Sequence, residues 1–329
     1  MTLFNAKPST TSDHRLRLYY AADIHGSEKC WRKFLRSAAF YKADVLILGG
    51  DLSGKMLVPI VKHADGSYEA TWVGSHYRLK NADELPELER RIRFNGFYPY
   101  VCTPNDIEAM AADDRLVDAT FRRQVVTSVT DWLALADREL EGRPVECIII
   151  PGNDDDWALD PVLSGASSVV NGDRRVIPLG SGHQLLSLGV SNRTPWDSPR
   201  ELDEDQLADV LSEIESQLDP ARTTIANIHV PPYGSHLDDA PALTEDLSLV
   251  SAAGERPTKP VGSHAVREWI ERVQPSLSLH GHIHESRGST KIGRTLSVNP
   301  GSRYNEGVLL GALVEIDGAR VVKHQFVSG

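Results

Sequence analysis

The sequence predicts an α/β fold built on parallel strands. Apolar runs of strand length alternate with stretches whose apolar residues recur at helical spacing, and several apolar runs end in Asp, Asn or His. Two strands joined by a helix need a crossover connection, which favours parallel neighbours in one sheet. The chain has 329 residues, 40% hydrophobic and 25% charged, so it is large enough to bury a substantial core.

The N-terminal elements follow this pattern. Residues 16–22, "LRLYYAA", form the first predicted strand, which runs into Asp23 and His25. Ser27 stands at the position of a helix cap, because its hydroxyl can accept a hydrogen bond from a free N–H of the first turn. The helix after it presents an apolar face made of Trp31, Phe34, Leu35, Ala38 and Ala39.

The second strand, "VLIL", ends in a segment that fits two different sites. Residues 49–55 match the phosphate-binding pattern G-x-x-x-x-G-K, but Asp51 at the end of a buried strand is also a candidate metal ligand. A working P-loop needs Ser or Thr after the lysine and a helix whose N-terminus faces the phosphates. This chain has Met56 there, followed by a proline-containing extended run. We therefore interpret the match as accidental and Asp51 as the informative residue.

We expect a single domain over residues 1–329 with an insertion at about 55–110. Within the insertion, "MLVPIV" and "YEATWV" are two extended runs around an Asp-Gly turn, which predicts a β-hairpin. A short helix is expected at 83–95, and a longer one begins at Pro104 and continues to about Glu141. No internal repeat or interdomain linker is visible.

The remaining elements continue the alternation. Further strands are predicted at 145–150, 223–230 and 276–280, and further helices at 207–218 and 266–273. The last apolar runs, "TLSV", "GVLLGALVEI" and "RVVKHQFV", predict an antiparallel finish that closes a second sheet.

The bulk composition argues against several classes of protein. A net charge of −11 disfavours an extended nucleic-acid-binding face. Cys30, Cys102 and Cys147 show no C-x-x-C spacing, which predicts buried structural thiols rather than disulfides or a thiolate zinc site. The N-terminal segment lacks the features of a signal peptide, and no apolar run reaches the roughly 18 residues of a membrane span. We expect a cytoplasmic protein without membrane contact, and the oligomeric state stays open.

Side chains able to bind metal follow the predicted strands. They are Asp23, His25, Asp51, Asn153, His229, His282 and His284. The carboxyl ends of the strands in an α/β sheet meet at one crevice, so these side chains are expected to converge. His282 and His284 alternate on a segment expected to be extended and should face the same side, while His280 points away as a structural residue. Carboxylate, imidazole and amide donors suit two divalent metal ions such as Mn, Fe or Zn.

Five ordered motifs resemble those of the calcineurin-like metallophosphoesterase superfamily. They are Asp23-x-His25, Gly50-Asp51, Gly152-Asn153, the strand-end His229, and Gly281-His282-x-His284. The wider segments "DIHGS", "GGDLSGK", "PGNDD", "HVPPYGSHLD" and "GHIHESRG" resemble the branch of Icc-related predicted phosphoesterases. The resemblance implies a four-layer α-β-β-α sandwich of two mixed sheets flanked by helices.

The resemblance also implies ligand roles and an activity. It assigns Asp23, His25 and His284 to the first metal, Asp51 to a bridge between both metals, and Asn153, His229 and His282 to the second metal. A bridge is needed because two neighbouring cations repel unless an anion lies between them. The implied reaction is hydrolysis of a small-molecule phosphate ester by in-line attack of a metal-bridging hydroxide on phosphorus.

Asp154 departs from the family pattern. Most members have histidine after the Gly-Asn pair, where it touches the phosphate and can protonate the leaving oxygen. An ionised Asp154 would repel a dianionic monoester more than a monoanionic diester, and members lacking the histidine are associated with phosphodiesterase activity. We therefore expect a phosphodiesterase. Two other roles of Asp154 stay open: a general acid whose pKa is raised by Asp155 and Asp156, and a cap for the helix in "WALDPVL".

Other functions compatible with the motifs are a phosphomonoesterase or protein phosphatase of the same fold, and a non-catalytic metal-binding scaffold. Scaffolds of this family usually lose metal ligands, whereas all seven motif positions are filled in this chain. A hydrolytic enzyme is therefore the favoured interpretation.

Overall fold

The computed structural model describes residues 15–180, 182–244, 246–248 and 257–329. Its strands are β1 (Arg15–Ala21), β2 (Val45–Gly49), β3 (Leu57–Lys62), β4 (Tyr68–Trp72), β5 (Ser75–Leu79), β6 (Tyr98–Cys102), β7 (Glu146–Ile150), β8 (Val170–Asn171), β9 (Arg175–Leu179), β10 (His183–Leu188), β11 (Ser191–Asn192), β12 (Glu201–Leu202), β13 (Thr223–Ile228), β14 (Asp239–Pro241), β15 (Thr258–Pro260), β16 (Leu277–Leu279), β17 (Gly288–Ile292), β18 (Thr295–Asn299), β19 (Leu310–Asp317) and β20 (Arg320–Ser328). Its α-helices are α1 (Glu28–Tyr41), α2 (Leu85–Phe94), α3 (Pro104–Ala112), α4 (Asp114–Leu140), α5 (Leu159–Ser164), α6 (Glu204–Glu215) and α7 (His264–Val273).

The first sheet has the strand order β20-β19-β1-β2-β7-β8. Strands β1, β2, β7 and β8 run parallel, and β19 pairs antiparallel with β1. The strands β2 and β7 are almost continuously apolar and buried, as expected of parallel strands that are covered on both faces.

The second sheet has the order β17-β18-β16-β13-β10-β9, with four parallel strands between two antiparallel edge strands. An apolar cluster that includes Leu18, Ile47, Leu185 and Ile225 joins side chains of both sheets. Helices α1, α4 and α5 pack on the other face of the first sheet, and α6 and α7 on the other face of the second. The fold is thus a mixed α/β arrangement of mixed sheets and helices.

Residues 57–102 form a small additional unit, which we call the β3–β6 module. Its four strands have the order β5-β4-β3-β6, with β3 and β4 as an antiparallel hairpin and β6 parallel to β3. Helix α2 packs on this sheet, and the module has its own apolar cluster, which includes Val58, Ile60, Trp72 and Ile92. The predicted hairpin lies here and is confirmed.

Several local predictions are also confirmed. Ser27 caps α1 by accepting a hydrogen bond from the Cys30 N–H, and Pro104 stands in the first turn of α3. The three cysteines are free and buried. Among the described residues, no helix is both long and apolar enough to cross a membrane. Residues 1–14, on which the expectation of no signal peptide depends, lie outside the described part.

Two expectations about the elements are wrong, and several strands were not predicted. The helix from Pro104 to Glu141 is interrupted, because Asp113 adopts an extended conformation and caps α4 by accepting from the Arg115 N–H. The C-terminal hairpin β19–β20 does not close the second sheet but adds to the edge of the first, and "TLSV" (β18) joins the second sheet parallel to β16. Strands β9 and β10 of the second sheet are among those that were not predicted. The two wrong expectations concern a long-range pairing and a local cap that competes with a helical pattern.

Candidate metal centre

The seven candidate ligands follow five parallel strands, β1, β2, β7, β13 and β16, and converge. Three sets bring donor atoms within 4.8 Å of one another. The first donor group is Asp23, His25 and His284, the second donor group contains Asp51, His229 and His282, and a third set is His25, Asp51 and Asp154. Asn153 belongs with the second, because its Oδ1 lies 3.0 Å from His229 Nε2. The fold therefore brings all seven residues to one place.

Asp51 lies between the two donor groups. Its Oδ2 is 3.6 Å from His25 Nε2, and its Oδ1 is 3.5 Å from His229 Nε2. The residue is only 2% exposed, and the Asp154 backbone N–H donates to its Oδ1 at 3.1 Å, which orients the carboxylate. A carboxylate whose oxygens face different donor sets has the arrangement that two neighbouring cations require of a shared ligand.

The backbone at the centre is strained. Asp23, His25, Asp51 and His282 have φ angles of 56°, 37°, 52° and 67°. Residues other than glycine rarely adopt positive φ, and each such conformation costs roughly 1–3 kcal/mol. Gly152 is required for a steric reason, because a Cβ at this position would lie only 2.1 Å from Asp51 Oδ1. The backbone conformations that bring these side chains together are thus energetically unfavourable by themselves, as is common at functional sites.

Hydrogen bonds orient the candidate ligands. His229 Nδ1 lies 2.8 Å from the Gly49 carbonyl oxygen, so Nδ1–H donates to that oxygen and Nε2 faces the centre. The His282 backbone N–H donates to both carboxylate oxygens of Asp23, at 3.0 and 3.1 Å. Ser302 Oγ donates to the Asp23 carbonyl oxygen. Contacts of this kind fix the tautomer and orientation of metal-ligating side chains.

The two carboxylates of the centre have raised pKa values. Burial raises the pKa of Asp23 to about 7, with His229 lowering it and Asp51 adding to the rise. Burial also raises the pKa of Asp51, and the charge of Asp154 adds to that rise. Both carboxylates are thus deprived of water and repelled by neighbouring carboxylates, and a bound cation would relieve both effects.

The histidines differ in their protonation. Burial lowers the pKa of His25 well below its usual range, that of His282 to about 3 and that of His284 to about 4. These three rings are neutral at pH 7, as metal ligands must be. Burial acts in the same direction on His229, but the carboxylates of Asp51 and Asp23 together with the Gly49 carbonyl oxygen outweigh it and raise the pKa of His229 to about 10. The His229 proton therefore occupies the place where the second donor group would hold a cation.

The donor set fits divalent cations. His25 Nε2 and His284 Nε2 are 3.0 Å apart, close to the separation of two ligands that each lie roughly 2.0–2.1 Å from one ion. Imidazole nitrogens, carboxylates and an amide oxygen suit Mn, Fe, Zn and similar ions. The chain thus contains His and Asp groups that could hold metal ions at the carboxyl ends of its strands.

Asp154 lies at the edge of the centre in a fully hydrogen-bonded position. Its Oδ2 is 2.7 Å from Lys55 Nζ, and its Oδ1 accepts from Ser198 Oγ at 2.9 Å and from Asn153 Nδ2 at 3.0 Å. Burial acts to raise the pKa of Asp154, but the ion pair with Lys55 and the hydrogen bond from Ser198 together outweigh it, and the pKa is lowered. The alternative of a general acid with a raised pKa is therefore wrong, because the carboxyl group is ionised at neutral pH.

The helix-cap role of Asp154 is also wrong. At the start of α5, the Ala158 N–H donates to Asp156 Oδ1 and not to Asp154. The Asp154 backbone N–H instead donates to Asp51 Oδ1 at 3.1 Å, and its Oδ2 lies 4.0 Å from His25 Nδ1. The remaining alternative, an ionised carboxylate that repels a dianionic monoester, stays a prediction. The positive charge of Lys55 offsets part of the negative charge of Asp154.

His282 and His284 do not lie on an extended segment. The chain turns after β16, with His282 in the left-handed region at φ 67°. The turn directs His284 to the first donor group and His282 to the second. His280 is structural, as predicted, because its Nδ1 lies 2.8 Å and 3.1 Å from the carbonyl oxygens of Ile228 and Val230.

Two buried residues that the sequence analysis did not predict as site residues hold in place the loops that carry the candidate ligands. Asp155 accepts hydrogen bonds from the backbone N–H groups of Leu52, Ser53 and Gly152, and so ties the loop after β2 to the loop after β7. Arg200, only 1% exposed, donates to the carbonyl oxygens of Asp155 and Asp156. The run of three aspartates was a usable signal for Asp155, whereas no motif surrounds Arg200.

A cavity of about 460 Å³ opens beside the first donor group. It is lined by His284, Glu285, Arg287, Ser302, Arg303, Tyr304, Asn305 and Leu310. The Tyr304 ring packs against His25 and His284, with centroid distances of 4.6 and 5.9 Å. This cavity provides open space directly beside the candidate ligands.

Comparison with known proteins supports the fold and leaves the activity open. No family model matches the chain. The uncharacterized protein MJ1162 of Methanocaldococcus jannaschii is 30% identical over 158 residues, which cover 47% of this chain and 64% of that protein. The chain therefore spans less than two thirds of the length of this relative.

Solved structures share the fold over almost the whole chain. One covers 95% of this chain and 98% of its own, with a TM-score of 0.55 and 14% identity. The crystal structure of TT1561 of Thermus thermophilus has the same coverage, a TM-score of 0.53 and 13% identity. At such low identity the similarity shows a common mixed α/β fold and nothing about activity.

Proposed function

We propose that this chain is a dinuclear-metal-dependent hydrolase of small phosphate esters that acts on phosphodiesters, with the four-layer sandwich of the metallophosphoesterases. The observation that supports this most strongly is the position of Asp51, whose two oxygens face different donor groups at 3.5 and 3.6 Å. The ordered motifs of the sequence support the same proposal independently.

The donor groups suggest how two cations would be held. One would bind to Asp23, His25 and His284, the other to Asn153, His229 and His282, with Asp51 shared between them. When bound, two such cations neutralise phosphoryl oxygens and lower the pKa of a water. The contribution of the chain is to hold the ligands in a fixed, partly buried arrangement, which Asp155 and Arg200 support from the loops behind it.

The charge of this site supports a diester substrate. Two divalent cations together with the negative carboxylates of Asp23 and Asp51 would give the site a net charge of two positive. The ion pair of Lys55 and Asp154 is neutral and does not change this sum. A monoanionic diester together with a deprotonated water balances that charge. A dianionic monoester would leave one negative charge in excess, which is unfavourable in a partly buried site.

Reconstitution with Mn²⁺ tests the proposal. Metal-stripped protein should regain hydrolysis of bis(p-nitrophenyl) phosphate when Mn²⁺ is added, with a higher kcat/KM than for p-nitrophenyl phosphate. The same protein kept in chelator is the control. Faster turnover of the monoester would favour a phosphomonoesterase, a second candidate because Lys55 offsets the repulsion from Asp154. Tight Mn²⁺ binding without hydrolysis of any ester would indicate a metal-binding scaffold.

A further inference from the structure

Lys55 places an ammonium group beside the candidate metal centre. Its Nζ lies 2.7 Å from Asp154 Oδ2, and Asp154 in turn belongs with His25 and Asp51 to a set of donor atoms within 4.8 Å of one another. The Lys55 side chain is 53% exposed, compared with 22% for Asp154. The ammonium therefore contacts a residue that itself lies beside the candidate ligands, and its exposed side is accessible to a molecule in solution.

The ion pair leaves most of the ammonium free. An ammonium has three N–H donors. Within the described part of the chain, Asp154 is the one acidic side chain at ion-pair distance from Lys55. Asp154 itself is held by Ser198 and Asn153, so its position is fixed and it anchors the lysine without using up its donors.

The β3–β6 module sets the position of Lys55. Lys55 stands between Asp51 and β3, in a link where the Gly54 N–H donates to the Tyr98 hydroxyl at 2.8 Å. A Cβ on Gly54 would lie 2.0 Å from the Gly96 carbonyl oxygen, so only glycine permits this approach of the two loops. The Tyr98 N–H donates to the Met56 carbonyl oxygen on the other side of Lys55. The backbone on both sides of Lys55 is thus attached to the module.

Stability alone does not account for this pair. Ion pairs with one partner about half exposed contribute roughly 0–1 kcal/mol, because water screens them and the side chains lose conformational freedom. The surrounding loops are already joined by Asp155, which accepts three backbone hydrogen bonds. A cation held rigidly next to a metal centre is, however, well placed to bind an anion.

We propose that Lys55 binds a non-bridging phosphoryl oxygen of the substrate and that Asp154 positions it for this contact. The inference rests on the proposed phosphoesterase function and names a substrate-binding residue for it. The pair would supply a positive donor, from a different part of the chain, beside the position where Asp154 departs from the family pattern that the motifs resemble. The ligand class is a phosphate ester or inorganic phosphate bound together with the metal ions.

Binding of inorganic phosphate to the Mn²⁺-loaded protein tests this by calorimetry without requiring turnover. Lys55→Met should weaken phosphate binding by about tenfold, as expected for loss of one charge-assisted hydrogen bond. Lys55→Arg should retain most of the affinity. Lys62→Met, an exposed lysine on β3, is the matched control and should bind as the wild type does. Mn²⁺ affinity should be unchanged in all three variants.

A double variant separates positioning from structure. In the Lys55→Met background, Asp154 is an unpaired negative charge beside the phosphate, so adding Asp154→Asn should improve phosphate binding. In the wild-type background, Asp154→Asn should weaken it, because the lysine loses its anchor. Opposite signs in the two backgrounds are a coupling that a purely structural ion pair does not produce.

The outcomes distinguish this inference from the proposed function. Equal phosphate affinity of Lys55→Met and wild type, or no phosphate binding by the Mn²⁺-loaded wild type, overturns the role of Lys55. If phosphate binding depends on Lys55 but no ester is hydrolysed, the proposed function fails and the inference stands. If esters are hydrolysed equally well by Lys55→Met and wild type, the function stands and the inference is overturned.

Discussion

The candidate metal centre and the β3–β6 module are stabilised in opposite ways. The centre buries polar and ionisable residues, with Asp23 at 1%, Asp51 at 2% and His229 at 0% exposure, on a backbone that adopts positive φ at four of the candidate ligands. The module buries an apolar cluster around Ile60 and Ile92, each at 0% exposure, on ordinary strands and one helix. In the centre, burial of charged groups and the positive φ angles lower the stability of the fold. In the module, burial of apolar side chains raises it.

This difference indicates that the two regions have separate roles. Among the contacts that join the two regions, the Gly96 backbone lies against the His25 carbonyl oxygen and Ser27 Oγ donates to the Phe94 carbonyl oxygen. Lys55 is the charged side chain that these contacts direct toward the centre. Substitutions in the centre should therefore change chemistry with little loss of stability, and substitutions in the module core should do the reverse.

The largest expected effect is that of Asp51→Asn on hydrolysis. Loss of ligand-supporting contacts alone typically costs about 10–100-fold. If Asp51 bridges two cations as proposed, its loss should therefore reduce kcat/KM for the diester by at least about 100-fold. The melting temperature of the metal-free protein should not fall, because burial already disfavours the Asp51 carboxylate. Asp197→Asn, at a side chain 90% exposed, is the control. Full activity in Asp51→Asn would remove the bridging role.

The next effect concerns stability. Ile92→Ala should lower the free energy of unfolding by roughly 2–5 kcal/mol, because it deletes a fully buried side chain from the module core. Ile92→Val should cost only about 0.5–1.5 kcal/mol and serves as the graded control. Denaturant unfolding measures both, and Mn²⁺ titration of the folded variants should match the wild type. A large loss of Mn²⁺ affinity in Ile92→Ala would show that the two regions are not separable.

The smallest effect is the pH dependence of Mn²⁺ affinity. The pKa of His229 is raised to about 10, so below that pH a cation must displace its proton. The apparent affinity should then rise about tenfold per pH unit between pH 7 and 8, and more steeply below pH 7, where Asp23 with a pKa of about 7 also binds a proton. His25, His282 and His284 have lowered pKa values and add no competing proton in this range.

Calorimetry in buffers of different ionisation enthalpy measures the protons released. His76→Gln, on the exposed hairpin of the module, should leave the slope unchanged. An affinity independent of pH would contradict the assignment of His229 to the second donor group.

Local sequence patterns predicted many of the elements because their causes lie within a few residues. Ser27 caps α1 through a contact three residues away, and the Asp-Gly turn joins β3 to β4. Patterns that depend on distant pairing were less informative. The sequence of the hairpin β19–β20 does not show which sheet it joins. Only its pairing with β1, about three hundred residues away in sequence, places it in the first sheet.

The sequence by itself determined which side chains can bind metal, because carboxylate, imidazole and amide groups at strand ends must gather at one edge of an α/β fold. The tertiary structure decided how they are divided: the turn at His282 separates it from His284, and Asp51 faces both sets. It also decided the state of Asp154, whose pKa Lys55 and Ser198 lower against the effect of burial. The physical reason is that ionisation and ligand geometry depend on groups a few ångströms away in space, and such neighbours come from distant parts of the chain.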